Sequence, residues 1–89
     1  MTQRTATIVN KLGMHARPSA MLVTEASRYQ SEVWLTKDGN RVNGKSIMGV
    51  MMLAAEKGSE ILVEVNGPDE EAAMAAIIKV IESGFGEEI

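Results

Sequence analysis

Hydrophobic and polar positions alternate along two stretches of this 89-residue chain in the way that β-strands require. Residues 32–37 and 60–66 place aliphatic side chains at every second position, which makes one face of each strand apolar. A β-branched stretch, TATIV, predicts a strand at 5–9, and the Asp38-Gly39 pair predicts a hairpin into a strand at 40–43. The pattern therefore predicts four strands.

Helical spacing appears in two stretches of the first 60 residues. Residues 16 to about 28 predict a helix with Pro18 in its first turn, where the missing N–H is harmless. The segment IMGVMML predicts a short helix over 47–53, with Ser46 as its N-cap. The predicted stripe of the first helix is Ala20, Val23 and Ala26, with Ser19, Met21 and Leu22 beside it.

A third helix is predicted to follow Gly67-Pro68 and to end at Gly84. Its first turn would hold Asp69, Glu70 and Glu71, whose carboxylates complement the positive end of a helix. Its predicted buried stripe is Ala73, Met74, Ile77, Ile78 and Ile81.

The resulting order, β-α-β-β-α-β-α, predicts an α+β fold in which three helices cover one face of a four-stranded antiparallel sheet. The other face would stay partly open to water, with Trp34, Leu62 and Glu64 on it. We expect residues 1–89 to form a single domain, because a core divided in two would be too small to keep either half folded.

Composition narrows the classes of function. The chain has no cysteine, which excludes disulfides and thiolate metal sites and fits a reducing cytoplasm. Apolar runs such as 47–55 fall well short of the ~20 residues of a membrane helix, so no membrane insertion is expected. A net charge of −3 argues against direct binding of nucleic acid, although residues 1–50 alone carry seven basic and three acidic side chains.

The candidate chemistry lies in GMHARPSA, residues 13–20, which contains the only histidine of the chain. A neutral imidazole is a nucleophile near physiological pH, and His15 would stand at the mouth of the first helix. Amides at Ala16 and Arg17 and the Arg17 guanidinium would bind phosphate oxygens, and Pro18 would start the helix without losing a needed donor. This pattern predicts a phosphoryl group carried on His15.

His15 also has interpretations that involve no phosphoryl transfer. A lone histidine at a helix start is often only a cap or a surface residue. A metal site is not expected, because one histidine without cysteine lacks neighbouring ligands, and no nucleophile-elbow motif supports a Ser-His-Asp hydrolase.

A second candidate site lies at Ser46, whose hydroxyl is either a simple helix cap or an acceptor for an external kinase. Methionines 48, 51 and 52 cannot all point inward from so short a helix, so we expect at least Met48 and Met51 to be exposed as an adaptable docking surface. Met14, beside His15, is predicted to extend that surface.

Two of these stretches, NKLGMHARPSA at 10–20 and VNGKSIMGVMMLAAEKGSEI at 42–61, together with the GFGEE tail, closely resemble the histidine-containing phosphocarriers (HPr) of the bacterial phosphoenolpyruvate-dependent sugar phosphotransferase system. The resemblance covers essentially the whole chain and implies an open-faced β-sandwich. It implies a carrier rather than an enzyme, without cofactor or metal, phosphorylated at Nδ1 of His15 by phospho-enzyme I and unloaded by an enzyme IIA domain.

The same resemblance implies roles for individual residues. Arg17 would steady the phosphoryl group, with the helix start at residues 16–18 holding it. Ser46 would be the target of an ATP-dependent HPr kinase/phosphorylase, and in organisms with that enzyme the modified chain would act in catabolite control through a transcription regulator. Partner proteins would bind a monomer at Met14, Ile47, Met48, Met51 and Met52. Two alternatives remain open: a carrier of the nitrogen-related regulatory branch, and a protein-binding regulatory module in which His15 is only a cap.

Overall fold

The computed structural model describes residues 1–89 and contains four strands and three α-helices in the order β-α-β-β-α-β-α, as predicted. The strands form one antiparallel sheet in the spatial order β1-β4-β2-β3. The elements are β1 (Thr2–Thr7), α1 (Ala16–Ser27), β2 (Glu32–Lys37), β3 (Asn40–Asn43), α2 (Ile47–Met52), β4 (Glu60–Asn66), α3 (Glu70–Glu82) and a 3₁₀ turn (Gly84–Gly86). This architecture confirms the predicted fold class.

Period-two alternation gives the sheet an apolar face and an open face. On β2 and β4 the aliphatic residues point into a core of 19 buried side chains, while the residues between them are exposed or half-buried. Trp34, Leu62 and Glu64 lie on the open face, as predicted, and the Arg41 guanidinium stacks 4.3 Å from the centroid of the Trp34 ring. None of the helices is long and apolar enough to cross a bilayer.

Strand β1 begins and ends earlier than the predicted range of 5–9. Its ladder with β4 runs from Thr2 to Thr7, opposite Val65 to Glu60. Residues 2–4, at the start of the strand, have no alternating apolar pattern, and they adopt a strand because they pair with β4. Ile8 lies beyond the ladder, although its N–H still donates to the Ser59 carbonyl at 2.9 Å and its side chain is fully buried.

The two longer helices follow their predicted stripes unequally. The buried residues of α3 are the five predicted ones, Ala73, Met74, Ile77, Ile78 and Ile81. On α1 the buried face differs from the predicted one: the buried residues are Pro18, Ser19, Leu22 and Ala26. Ala20 and Val23 are only half-buried. Small and apolar residues of α1 occur on several of its faces, so the spacing of apolar residues does not identify which face is buried.

Asp69 does not lie in the first turn of α3, which corrects the prediction. It precedes the helix as an N-cap without a capping bond. Its carboxylate instead accepts hydrogen bonds from the backbone N–H groups of Gln30 at 2.9 Å and Ser31 at 3.0 Å, and from the Ser31 hydroxyl. These bonds, chiefly that of the Ser31 hydroxyl, hold the pKa of Asp69 below its ordinary value.

The lowered pKa of Asp69 predicts acid-sensitive stability. The pKa of Asp69 is lower in the folded chain than in the unfolded chain. The ionised carboxylate therefore stabilises the fold at pH values above the pKa of the unfolded chain, and this contribution is lost as the pH falls through the pKa of the folded chain. Asp69→Asn is therefore expected to lower the free energy of unfolding at neutral pH, and the gap to the wild type is expected to shrink as the pH falls below the ordinary range of a carboxyl group and through the lowered pKa of Asp69. Urea titrations of both proteins at several pH values measure this gap. A gap that stays constant with pH contradicts the prediction.

Ala54 lies immediately after the C-cap of α2 with a φ of 49°, a left-handed conformation that disfavours a side chain. Ala54→Gly is expected to raise the free energy of unfolding by about 1 kcal/mol, because glycine adopts this conformation without strain. Urea denaturation measures the change. Ala72→Gly, at an exposed position inside α3, is the matched control and is expected to lower stability by about 1 kcal/mol. The same sign for both substitutions contradicts the prediction.

Candidate functional site

The loop that carries His15 is shaped by backbone contacts with the segment after α2. Gly13 has a φ of 71°, and a Cβ built on it would come within 2.5 Å of the Ala55 carbonyl oxygen, so only glycine fits. The next amide, of Met14, donates to that same carbonyl at 2.8 Å. These contacts place His15 at the N-cap of α1 in an extended conformation (φ −82°, ψ −169°).

His15 is not a helix cap in the usual sense, because its side chain makes no capping hydrogen bond. Its Nε2 lies 2.9 Å from Oε1 of Glu87, and its side chain is 38% exposed. No hydrogen bond within the chain reaches Nδ1. An ionised carboxylate can only accept a hydrogen bond, so in the neutral ring it selects the tautomer with the proton on Nε2. The Nδ1 lone pair is then free to act as the nucleophile.

Glu87 was not identified from the sequence, although it makes the closest polar contact of the imidazole. The hydrogen bond with His15 lowers the pKa of Glu87, and a second bond from the Asn10 amide, together with the charge of Arg17, lowers it further. The carboxylate is therefore ionised at neutral pH. No local pattern indicates this contact, since Glu87 lies 72 positions from His15.

The C-terminal tail reaches the site because it folds back over the end of β1. Phe85, in a left-handed conformation with φ 56°, is buried in the core and anchors the tail. The Lys11 N–H donates to the Glu88 carbonyl at 2.7 Å, and its Nζ lies 3.3 Å from Oε1 of Glu88. The tail is thereby held on both sides of Glu87.

The first turn of α1 offers unpaired donors beside His15. Neither Ala16 nor Arg17 has a partner for its backbone N–H, and Pro18 has none to satisfy. The Ser19 N–H bonds back to the His15 carbonyl at 3.0 Å and closes the turn. The predicted group of four residues is thus contiguous in space as in sequence, with free amides next to the free ring nitrogen.

Arg17 is the free cation of this region. It is exposed and forms no ion pair within the chain. Three other basic residues of the N-terminal half have partners within the chain: Lys11 pairs with Glu88, Arg28 with Glu25, and Lys45 Nζ donates to the Tyr29 carbonyl at 2.8 Å. Arg17 is therefore the guanidinium beside His15 that has no partner within the chain.

Arg17 also lines a shallow groove of about 360 Å³ between α1 and α3, together with Ala20, Met21, Thr24, Glu25 and Val80. Leu12 is 73% exposed and lines a second hollow, of about 240 Å³, with Lys11, Glu87 and Glu88. The sequence pattern did not single out Leu12. Each hollow therefore holds an exposed apolar side chain, Met21 in the groove with Arg17 and Leu12 in the hollow with Glu87.

Ser46 is the N-cap of α2, as predicted. Its Oγ accepts a hydrogen bond from the Gly49 N–H at 3.1 Å. No hydrogen bond joins Ser46 to the His15 loop, which instead meets the other end of α2 through Ala55. The structure therefore does not unite the two candidate sites into one, although the same short helix borders both.

The methionine surface is exposed as predicted, with one exception. Met48 and Met51 are exposed, and the full surface on α2 is Ile47 (45% exposed), Met48 (75%), Met51 (42%) and Met52 (77%). Met14 is only 4% exposed and belongs to the core, so its assignment to this surface was wrong. The backbone bond of Met14 to Ala55 turns its side chain inward while His15 turns outward.

Comparisons with known proteins match this site and fold. The family described as "PTS HPr component phosphorylation site" matches residues 2–83. The phosphocarrier protein HPr of Neisseria meningitidis serogroup A is 53% identical over 87 residues, which cover 98% of each chain.

Two solved structures from Thermoanaerobacter tengcongensis are also similar. The structure titled HPr-C-His superposes with a TM-score of 0.95 at 46% identity and covers 100% of both chains. A structure titled HPr dimer has a TM-score of 0.79 at 46% identity and covers 98% of this chain and 100% of that chain. The family match over most of the chain and the agreement in fold show that the chain belongs to the PTS HPr family of phosphocarrier proteins.

Proposed function

We propose that the chain accepts a phosphoryl group from phospho-enzyme I at Nδ1 of His15 and passes it to an enzyme IIA domain. The observation that carries this proposal is the pairing of Nε2 with Glu87 at 2.9 Å, which leaves Nδ1 as the unoccupied ring nitrogen. An imidazole so oriented combines a free lone pair with a fixed proton, as a nucleophilic histidine requires.

In the transfer step the Nδ1 lone pair forms a bond to phosphorus while the bond from phosphorus to the donor breaks, and the donor keeps that electron pair. The ring becomes cationic and retains its Nε2 proton. The Glu87 carboxylate faces this proton and stabilises the positive charge as it develops. Transfer to the acceptor is the reverse process at the same nitrogen, after which the ring is neutral again.

The phosphoryl oxygens would meet donors that the chain leaves unpaired. The amides of Ala16 and Arg17 stand at the positive end of α1, and the Arg17 guanidinium has no internal partner. These donors can bind the phosphoryl oxygens while the group is on the partner protein and while it is on His15. The Arg17 guanidinium would also bind them in the transition state, when the phosphoryl group lies between the partner and His15.

Partner proteins would bind around His15 one at a time. The exposed surface on α2 (Ile47, Met48, Met51 and Met52) supplies flexible apolar contacts, which suit a surface that has to fit both enzyme I and enzyme IIA. We propose a monomeric working state for this exchange. A related HPr from Thermoanaerobacter tengcongensis has been solved as a dimer. Light scattering of the purified chain measures its mass in solution, and a dimer mass would contradict the monomeric working state.

The test is incubation of the purified chain with enzyme I and phosphoenolpyruvate. We expect one phosphate per chain, stable in alkali and labile in acid as a phosphoramidate is, and we expect it to move to an added enzyme IIA domain. A chain that stays unmodified while a known HPr in the same tube is phosphorylated contradicts the proposal.

We also propose that Ser46 is phosphorylated by an HPr kinase/phosphorylase, and that the modified chain is read by a catabolite-control transcription regulator. The support is the position of Ser46 at the start of α2 beside Ile47 and Met48, both exposed. A phosphate there would face the positive end of the helix and add charge to the edge of the partner-binding surface.

The cap and the acceptor role of Ser46 can be separated by two substitutions. Ser46→Ala is expected to lower the free energy of unfolding by about 1 kcal/mol, because the Gly49 N–H loses its acceptor. Ser46→Asn keeps a capping oxygen and is expected to retain stability within a few tenths of a kcal/mol. Both are expected to lose the acid-stable phosphate formed with kinase and ATP, as mass spectrometry would show. Phosphate retained in either variant contradicts the assignment of Ser46.

A further inference from the structure

Asn10 occupies a fully buried position between three parts of the chain that meet at His15. It follows β1, and its Nδ2 donates to the Gly13 carbonyl at 2.7 Å and to Oε1 of Glu87 at 3.2 Å. One amide group therefore bonds both to the loop before His15 and to the carboxylate that contacts His15.

The orientation of this amide follows from its partners. A carbonyl oxygen and a carboxylate oxygen both need a donor, so the nitrogen faces both. The other atom of the amide, Oδ1, is buried and has no hydrogen-bond partner. An unpaired buried acceptor costs stability, and a side chain without polar atoms would avoid that cost. The two hydrogen bonds from Nδ2 are therefore made at the cost of burying Oδ1 without a partner, a cost that an apolar core residue at this position would not have.

The position of the Glu87 carboxylate against His15 is also supported by Asn10. Oε1 of Glu87 receives both the Asn10 amide and the His15 ring, at 3.2 Å and 2.9 Å. Oε1 is therefore held from two sides. The side chain of Glu87 has several rotatable bonds, and it stays against His15 only while something fixes it there.

We propose that Asn10 is a positioning residue for phosphoryl transfer, which acts through Glu87 to keep the Nε2 proton of His15 in place and its Nδ1 exposed to the phosphoryl donor. Asn10 touches neither the ring nor the phosphoryl group, so its effect on the reaction passes through Glu87. This inference rests on the proposed role of His15 and adds to it a second residue that sequence reasoning did not identify.

The test compares Asn10→Leu, Glu87→Ala and the double variant. Leucine has nearly the shape of asparagine and removes both donors together with the unpaired acceptor. In NMR spectra of the unmodified protein, we expect the Nε2 proton of His15 to be slow to exchange in the wild type and to be lost to exchange in all three variants. We also expect the Glu87 carboxyl to titrate closer to its ordinary pKa in Asn10→Leu.

Phosphorylation by enzyme I is the second readout. We expect each single variant to be phosphorylated about tenfold more slowly than the wild type, which corresponds to one charge-assisted hydrogen bond. The double variant is expected to be no slower than the slower single variant, because both act on the same proton. Additive losses in the double variant, or a wild-type Nε2 proton signal in Asn10→Leu, overturn the inference.

Two precautions keep this result interpretable. Asn10→Ser, which is smaller and keeps a donor, replaces Asn10→Leu if the leucine variant does not fold, and it is expected to retain a larger part of the Nε2 proton protection than Glu87→Ala. The NMR measurements need no phosphoryl donor. Failure of the wild type to accept phosphate would therefore overturn the proposed function without altering the outcome for Asn10, which the proton signal decides.

Discussion

His15→Ala is expected to abolish phosphate uptake from enzyme I and phosphoenolpyruvate. The chain contains no second histidine, and the free Nδ1 is the only imidazole nitrogen without a partner. The loss is therefore expected to be complete within detection, rather than a reduction in rate. Incorporation of labelled phosphate, followed by mass spectrometry of the intact chain, measures it.

Loss of the fold is the alternative explanation that the control has to exclude. The His15 side chain is half-exposed and makes no capping bond, so alanine removes only its hydrogen bond to Glu87, and the free energy of unfolding is expected to fall by about 1 kcal/mol, which leaves the fold intact. The proposed kinase reaction at Ser46 provides a second check, because it is expected to depend on α2 and not on the ring. A variant that still takes up acid-labile phosphate would show that another group is the acceptor.

Arg17→Met is expected to slow phosphorylation by enzyme I about 100-fold, which is the usual loss for one donor that stabilises charge in the transition state. Methionine keeps the apolar stem of the side chain and removes the guanidinium. Arg17→Lys keeps a charge but loses the two-pronged geometry, so an intermediate loss is expected. Rapid-quench measurement of the phosphorylated fraction gives the rates.

Arg28→Met is the matched control for this substitution. Arg28 is an exposed arginine at the other end of α1, where it pairs with Glu25 rather than facing His15. The same change of net charge at Arg28 is expected to leave the rate within about threefold, because exposed charges far from the site are screened by salt. Equal losses at Arg17 and Arg28 would mean that overall charge, and not local binding of the phosphoryl group, controls the reaction.

Sequence periodicity predicted the order of the elements because it records which side of each element is buried. The alternation on β4 and the stripe on α3 were confirmed residue by residue, since both elements are uniformly covered on one side. The same reasoning failed on α1, where apolar residues occur on several sides, and at the start of β1, where pairing with β4 overrides polar composition.

The placement of candidate site residues was predicted from local sequence, whereas contacts between distant residues were not. His15, Ala16, Arg17 and Pro18 are neighbours in sequence, so the helix start that is proposed to bind phosphate can be located from four adjacent residues. Met14 is adjacent too, and yet its side chain is buried, because the turn at Gly13 points successive side chains in opposite directions.

The sequence by itself therefore determined the fold class and the family, and it located the proposed nucleophile and the helix start that is proposed to receive a phosphoryl group. Each of these depends on residue types at short spacing, which local sterics and hydrogen bonding translate directly into structure. Only the tertiary structure decided which ring nitrogen is free. That choice follows from the contact with Glu87, which lies 72 positions away from His15, receives a second hydrogen bond from Asn10, and reaches the ring because the tail folds back toward the His15 loop.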